Sequence, residues 1–327
     1  MKIRGLPLSE LRDLAEITLT VAGAAQAGVF RALAEGPGSP ADIAGRAGLS
    51  PRAVAVLLPV LEELGLVSSH GDVFAPTEAA RLHLCDPSAD TYLAGGLPHW
   101  IENVRDWTHL NDVLTSGDPI RGGEKRRVDT GLRRFMSAMA AAPKERVERI
   151  VAACLARRPG ARTVLDVGGG PGHMARGFVT AGMEATLFDT SETVDFVGRE
   201  WGLDSLEGLT LAGGDFNEDP LPEGPFDIVL MSNIVHIYGP ERNQALVRKA
   251  AGVTAPAGVA AIGDFVRGRS GRAARFALVM LMKTDEGNTY TQAEMEGWLA
   301  DAGYGDLRTE DVDEDRQLVT GVLGART

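Results

Sequence analysis

The sequence predicts an α/β protein built around a doubly wound parallel sheet, with a smaller, mainly helical domain ahead of it. Three observations carry that expectation. From Arg162 onward, short apolar runs of strand character alternate with helical patterns, which calls for strand–helix–strand units. The first of those strands, residues 163–167, runs directly into Gly168-Gly169-Gly170-Pro171-Gly172, and a helical pattern opens at Met174. Finally, 327 residues exceed the usual size of one hydrophobic core, so two domains are expected.

Composition bounds the class. Hydrophobic residues make up 44% and charged residues 24%, an ordinary globular balance. No apolar run approaches the roughly 20 residues of a membrane span, and the start Met1-Lys2-Ile3-Arg4-Gly5 lacks the apolar core of a signal peptide. Cys85 and Cys154 make neither a metal spacing nor a disulfide framework, which suits a reducing cytoplasm. A net charge of −12 argues against a nucleic-acid surface spread over the protein. A soluble cytoplasmic protein with no membrane and no nucleic-acid partner is the expectation.

Residues 1–110 form the first expected domain. A helical pattern over residues 8–33 is interrupted by Gly23 and Gly28 and stopped by Gly36-Pro37-Gly38. Ser39-Pro40 then reads as an N-cap followed by a first-turn proline. A short helix over 41–47, a turn at Gly48-Leu49-Ser50-Pro51 and a third helix over 52–64 follow. Two short strands flanking His70-Gly71-Asp72 complete a winged-helix pattern. A DNA-reading helix needs basic and amide side chains along one face. The third helix carries one arginine, two adjacent glutamates and apolar residues on nearly every side. Residues 1–110 hold 8 Lys/Arg against 13 Asp/Glu. A buried packing or dimerisation module is therefore expected rather than a DNA reader.

Residues 111–160 are expected to be a helical linker that contributes to a substrate pocket. Trp100 and Trp107 lie in an aromatic-rich helical stretch just before it, and residues 117–129 read as a polar loop. Phe135, Met136 and Met139 share a face at i, i+1, i+4, usually a core stripe, although methionines can also meet a flat substrate. Residues 144–158 form an amphipathic helix.

In the second domain, residues 161–327, strands are expected at 163–167, 185–189, 209–213, 226–231 and 259–265, with two more near 307–313 and 318–323. Ligands of such a sheet bind at the carboxyl ends of its strands. The glycine turn there lets backbone approach a ligand, and the following helix N-terminus offers unpaired N–H groups. The glycines at 168, 170 and 172 give G-x-G-x-G, whereas a dinucleotide fingerprint would need glycine at 173, where the chain has His173. Asp189 ends the second strand, where a carboxylate can bind ribose hydroxyls. Gly214-Asp215-Phe216 ends the third; there an acid can accept an adenine amino group while an aromatic stacks on the ring.

With these motifs in place the sequence resembles the S-adenosylmethionine-dependent O-methyltransferases of the plant and bacterial small-molecule type. Asp166-Val167-Gly168-Gly169-Gly170-Pro171-Gly172, Gly214-Asp215-Phe216, Ser232-Asn233-Ile234-Val235-His236 and Thr291-Gln292-Ala293-Glu294 carry the resemblance. It implies a Rossmann-like methyltransferase domain behind a winged-helix dimerisation domain, a homodimer, and a role in secondary metabolism. It further implies S-adenosyl-L-methionine held by Asp166, Gly168, Gly170, Asp189, Gly214, Asp215, Phe216 and Ser232. The acceptor implied is a hydroxylated, aromatic or polyketide-like small molecule. His236 matches the family's catalytic histidine, and Asp264 would orient it.

The departures from the family pattern bear on the chemistry. Ile237-Tyr238 follow the histidine where relatives commonly carry an acidic or histidine residue and then tryptophan. The two glutamates that flank the base in the plant enzymes map to Asp264 and Thr289, and a threonine supplies no charge to stabilise an imidazolium. Ser232 stands where the plant enzymes have lysine. Trp100, Phe135, Met136, Met139, Phe276, Met280 and Thr289 are the candidate pocket residues, with Met282 and Trp107 beside them. No His/Asp/Glu cluster has metal-ligand spacing, so no metal is expected. Two alternatives stand beside this reading. One keeps the fold and cofactor but methylates nitrogen or carbon, or decarboxylates or hydroxylates a related metabolite. The other is a ligand-sensing winged-helix regulator.

Overall fold

In the computed structural model, which describes residues 2–3, 6–86, 92–94, 97–120, 132, 133, 136, 139 and 143–324, the chain falls into two units, Met1–Thr108 and His109–Thr327. The first is largely helical. Helix Leu8–Gln26 ends short of Gly28, whose φ of +84° turns the chain into helix Val29–Ala34. Ser39 starts helix Pro40–Ala47 through a reciprocal cap: its hydroxyl accepts from the Asp42 N–H while its own N–H donates to the Asp42 carboxylate at 2.9 Å. The hairpin Val67–His70/Val73–Pro76, helical turns over Glu78–Ala80 and Arg81–Cys85, and helix Leu97–Trp107 then follow helix Pro51–Glu63.

Within one chain helix Pro51–Glu63 is buried along one face only. It buries only the stripe Val54, Leu58, Leu61, at the i, i+4, i+7 spacing that packs on Val29, Phe30, Leu33 and Ile43. Val56 stays 66% exposed and Val60 39% exposed.

In the second unit we label the sheet strands β1 (Thr163–Val167), β2 (Glu184–Asp189), β3 (Leu209–Gly213), β4 (Phe226–Ser232), β5 (Thr254–Asp264), β6 (Tyr304–Asp311) and β7 (Gln317–Leu323). The helices around them are α1 (Lys144–Arg157), α2 (His173–Thr180), α3 (Ser191–Trp201), α4 (Pro240–Val253), α5 (Gly271–Lys283) and α6 (Gln292–Asp301). The strand order is β6-β7-β5-β4-β1-β2-β3. The sheet is doubly wound, but it is not wholly parallel. β7 runs antiparallel to both β5 and β6, because the short turn after β6 cannot carry the chain back across the sheet as a helix would.

Period-two alternation sends residues of each central strand to opposite faces. Leu165, Val167, Val229, Met231, Ala260 and Ile262 pack on one side with Leu246 and Val247 of α4 and with Met295 and Leu299 of α6. Val164, Ile228, Leu230 and Ala261 pack on the other with Met174 and Phe178 of α2. Ile150, Val151 and Cys154 of α1 join that second face, so the helix expected within a linker is part of the sheet's core. Among the described residues no single helix is long and apolar enough to cross a membrane.

Candidate active site

Parallel register brings the carboxyl ends of the central strands level. Val167 pairs with Met231, and Met231 with Ile262, so the segments after β1, β4 and β5 leave the sheet together. The glycine turn leaves first. Gly168, Gly170 and Gly172 all hold positive φ, at +66°, +49° and +75°. A Cβ at Gly168 would sit 2.5 Å from Ile234 Cγ2, one at Gly169 2.7 Å from Leu187 Cγ, and one at Gly172 2.6 Å from Leu203 Cδ1. At Gly170 the nearest atom would be the Gly168 carbonyl at 3.9 Å. Packing closes the turn at three positions and leaves Gly170 open.

Two aspartates hold the turn. Asp166 shares a sheet face with Val164, is 1% exposed, and accepts the Ala175 N–H of α2 at 3.1 Å. It supports the turn from beneath. Burial, with Asp189 adding to it, raises its carboxyl to about 7 against the pull of that N–H. Asp189 accepts the Gly170 N–H at 2.8 Å through one oxygen and the Thr190 N–H at 2.7 Å through the other. Burial holds its carboxyl above the usual range despite these bonds. His173, at the start of α2, has both ring nitrogens buried without a hydrogen-bond partner. Burial, reinforced by Arg146, pulls it down to about 4, so the ring is neutral.

The third strand supplies the opposite wall. Gly214 donates its N–H to the Asp189 carbonyl at 2.9 Å, and a Cβ there would strike Phe188 at 2.7 Å. Asp215 is exposed and accepts from the Asn217 backbone and side chain at 2.9 and 3.0 Å. Lys249 of α4 fixes this corner by donating to the carbonyls of Phe216, Asn217 and Asp219. The half-buried Phe216 ring stands beside Gly168 and meets Tyr238 edge-on, with centroids 5.6 Å apart. Tyr238, absent from the sequence-based candidates, thus walls the corner. Burial raises its phenol above the ordinary value.

At the end of β4, Ser232 accepts from Asn233 Nδ2 at 3.2 Å. Asn233 adopts φ +58°, and its Oδ1 is buried with no partner. S-adenosylmethionine, the group the resemblance implies, fits this corner. The open face at Gly170, the unpartnered Asn233 oxygen, the Asp189 carboxylate and the Phe216 ring suit a ligand with an amino group, a ribose and a flat base.

Past Asn233 the chain makes a helical turn, Val235–Ile237, that points His236 back to the end of β5. His236 Nδ1 lies 2.8 and 2.9 Å from the two oxygens of Asp264. The carboxylate also accepts the Phe265 N–H at 2.7 Å and the His236 N–H at 3.4 Å. Burial opposes its ionisation, but His236, Arg316 and the Phe265 N–H outweigh it and hold the carboxyl below its usual range. An ionised carboxylate only accepts, so Nδ1 carries a proton, and in a neutral imidazole held this way the lone pair lies on Nε2.

Arg316, just before β7, completes the group and was not among the sequence-based candidates. Its Nη1 is 3.5 Å from Asp264, and its guanidinium lies 3.2 Å from the Phe265 ring centroid. Phe265 contacts Phe276 at 4.3 Å between centroids, and Phe276 stands edge-on to His236 at 4.9 Å. Burial pulls Arg316 down to about 10, which leaves it charged at neutral pH. Only the pairing of Gln317 with Asp264 brings residue 316 here.

Of the expected pocket residues, Phe276 is placed in contact with His236. Met280 is buried on the same helix. Thr289 is fully buried with its hydroxyl donating to the Ala273 carbonyl at 3.1 Å, so α5 backbone occupies it. Met136 packs with Val197 and Leu203, a separate apolar cluster, and Met139 is 37% exposed. Trp107 belongs to the first unit. Phe135 and the side chain of Trp100 lie outside the described residues.

Comparison with known proteins gives the family. Residues 124–305 match the O-methyltransferase domain family. The chain is 30% identical to the tetracenomycin polyketide synthesis 8-O-methyl transferase TcmO of Streptomyces glaucescens, over 94% of this chain and 96% of that one. It is 28% identical to the 3-hydroxy-5-methyl-1-naphthoate 3-O-methyltransferase of Streptomyces sahachiroi, over 89% and 87%. Its fold matches human N-acetylserotonin methyltransferase in complex with SAM, with a TM-score of 0.84, 22% identity and 97% of each chain covered.

Two outcomes follow from the glycine turn and its supports. Gly168→Ala places a Cβ against Ile234 at an unfavourable φ, and calorimetry is expected to show S-adenosylmethionine binding weakened by about tenfold or more; undiminished affinity rejects the cradle. Asp166 has a folded pKa raised above its unfolded value, so its contribution to stability is full below about pH 4 and is lost as pH rises through 7. Asp166→Asn carries no charge at any pH. Its unfolding midpoint, without ligand, should therefore gain on the parent protein between pH 5 and pH 8, by at most roughly 1.4 kcal/mol per pH unit. A difference that is flat or shrinks with pH contradicts the buried, proton-binding carboxyl.

Proposed function

The chain belongs to the S-adenosylmethionine-dependent O-methyltransferase family, and on that premise we propose that it methylates a phenolic oxygen of a flat, aromatic or polyketide-like acceptor, with His236 as general base and Asp264 as its positioning residue. The observation that carries the proposal is the double contact of His236 Nδ1 with the Asp264 carboxylate, which fixes the ring and leaves Nε2 as the proton acceptor. The polyketide and naphthoate substrates in the names of the two bacterial relatives support an aromatic acceptor.

S-adenosylmethionine supplies the methyl group as a sulfonium, whose sulfur keeps the bonding electron pair when the phenolic oxygen takes the carbon. The chain's own residues do the rest. Asp189, Asp215, Phe216 and the Gly168–Gly172 turn would hold and orient the donor, with Ser232 and Asn233 beside them. His236 removes the phenol proton, which an unperturbed phenol near ~10 retains at neutral pH. Asp264 holds the imidazole in one tautomer and stabilises the imidazolium that results. Phe276, edge-on to His236, would wall the acceptor beside the base.

The first unit is assigned to dimerisation as a winged-helix module. Support comes from the apolar side chains it leaves exposed, Leu14, Ile17, Leu19, Val56 and Val60. A cavity of about 550 Å³ between helices Leu8–Gln26 and Pro51–Glu63, lined in part by Leu19, Ala24 and Leu57, is of the same character.

His236→Ala is expected to lower kcat/KM by roughly 10²- to 10⁴-fold on hydroxylated naphthalenes or anthraquinones while calorimetric affinity for S-adenosylmethionine changes less than threefold. Turnover within threefold of the parent would sink the base assignment, and a product methylated on nitrogen or carbon would sink the O-methyl reading. Sedimentation is expected to give twice the 34.6 kDa chain mass, and Val56→Glu to shift it toward one chain; a monomeric parent protein rules the dimer out.

A further inference from the structure

Asp264 has no solvent to share its charge with: its side chain is fully buried, and every partner it has is a donor already fixed in place. Two of those partners are cationic or become so. His236 gains a positive charge when it takes a proton, whereas Arg316 is positive throughout the neutral range. Both bear on the same oxygen, Oδ1, at 2.8 and 3.5 Å. The guanidinium lies over the Phe265 ring, 3.2 Å from its centroid, and the Arg316 backbone N–H donates to Asp313 at 2.9 Å.

We infer that Arg316 is a positioning residue that tunes His236 through Asp264, competing for the carboxylate so that the imidazole stays an available base to lower pH. The physical argument is one of shared charge. A carboxylate facing His236 alone would favour imidazolium strongly. With a second, permanent cation on the same oxygen, less of that negative charge is left, and the two cations repel in a site of low dielectric. The fold therefore offsets its acidic partner with a basic one, in a site where Thr289 supplies no second acid.

The other charged and titratable groups facing this cluster come from several elements. Arg146 on α1 is paired with Asp313 at 2.5 Å, and Arg272 on α5 with Asp315 at 3.7 Å. Both pairs lie on the Arg316 side and largely cancel. Glu286 and Tyr290, in the segment after α5, face the His236 side; Glu286 is engaged by the Gly239 N–H and by Arg242, and Tyr290 donates its hydroxyl to the Tyr238 carbonyl. Among these, Arg316 is the cation within ion-pair distance of Asp264.

The inference rests on His236 being the base, so its test reads the ring and the reaction separately. The chain has six histidines, and His236→Ala identifies the His236 ring signal in a carbon-detected NMR titration. In Arg316→Gln the midpoint of that signal is expected to move up by roughly 0.5–1 pH unit, and the acid limb of kcat/KM with it. Arg316→Lys, which keeps the charge, should stay near the parent protein. Arg316→Met keeps an apolar stem on Phe265 and serves in place of the glutamine variant if that one fails to fold. A midpoint that stays put or moves down in the Gln or Met variant overturns the inference. A midpoint that moves up while the rate profile does not follow supports the coupling and removes His236 as the base. A merely structural arginine would alter unfolding without moving the ring titration upward.

Discussion

The parallel pairing of β4 with β1 on one side and β5 on the other is the constraint on which the site depends. Because Val167, Met231 and Ile262 stand level, three loops leave the sheet at one edge. The glycine turn, the Ser232–His236 segment and Asp264 therefore meet although they lie up to 96 residues apart, from Gly168 to Asp264. A slip of one residue in either pairing would turn Asp264 or Asp166 to the opposite face, where neither has a partner. The apolar layers on both sides of these strands are what make such a slip costly.

Burial of charge follows from that geometry. Asp264 ends β5 in the core, and an ionised carboxylate there is tolerated only when its lone pairs are filled. Two backbone N–H groups, an imidazole and a guanidinium fill them. The same arrangement aims the histidine, because a ring held through Nδ1 by both carboxylate oxygens has one orientation and one tautomer. Phe265 and Phe276 wall the cluster. Asp166 answers the same problem differently: with a single N–H from α2, it retains its proton nearly to neutrality.

The glycine turn is shaped by exclusion as much as by flexibility. Ile234, Leu187 and Leu203 crowd three of its positions, so only the Gly170 side is available to a ligand. Ile234 also belongs to the segment that carries His236. The glycine turn and His236 are thereby built from adjoining pieces of backbone, and the edge-on contact of Phe216 with Tyr238 ties the third strand to the same segment. This economy of parts fits a reaction in which positioning of two small groups supplies much of the rate.

Local sequence determined a great deal about this protein. Strands 163–167 and 209–213 and helix 191–201 are legible because alternation, glycine and N-cap residues act over a few neighbours. The glycine turn, Asp189 and the Gly214-Asp215-Phe216 corner are legible for the same reason, since each ends a strand and carries its chemistry in adjacent residues. Tertiary structure alone decided the rest. The antiparallel return of β7, the use of residues 144–157 as sheet core, and the burial of Thr289 under α5 depend on which surfaces meet. Most of all, Arg316 reaches Asp264, 52 positions earlier in the chain, through strand pairing. Periodicity carries no information on such long-range register, so a residue of unremarkable context becomes the second cation of the site only when the sheet closes.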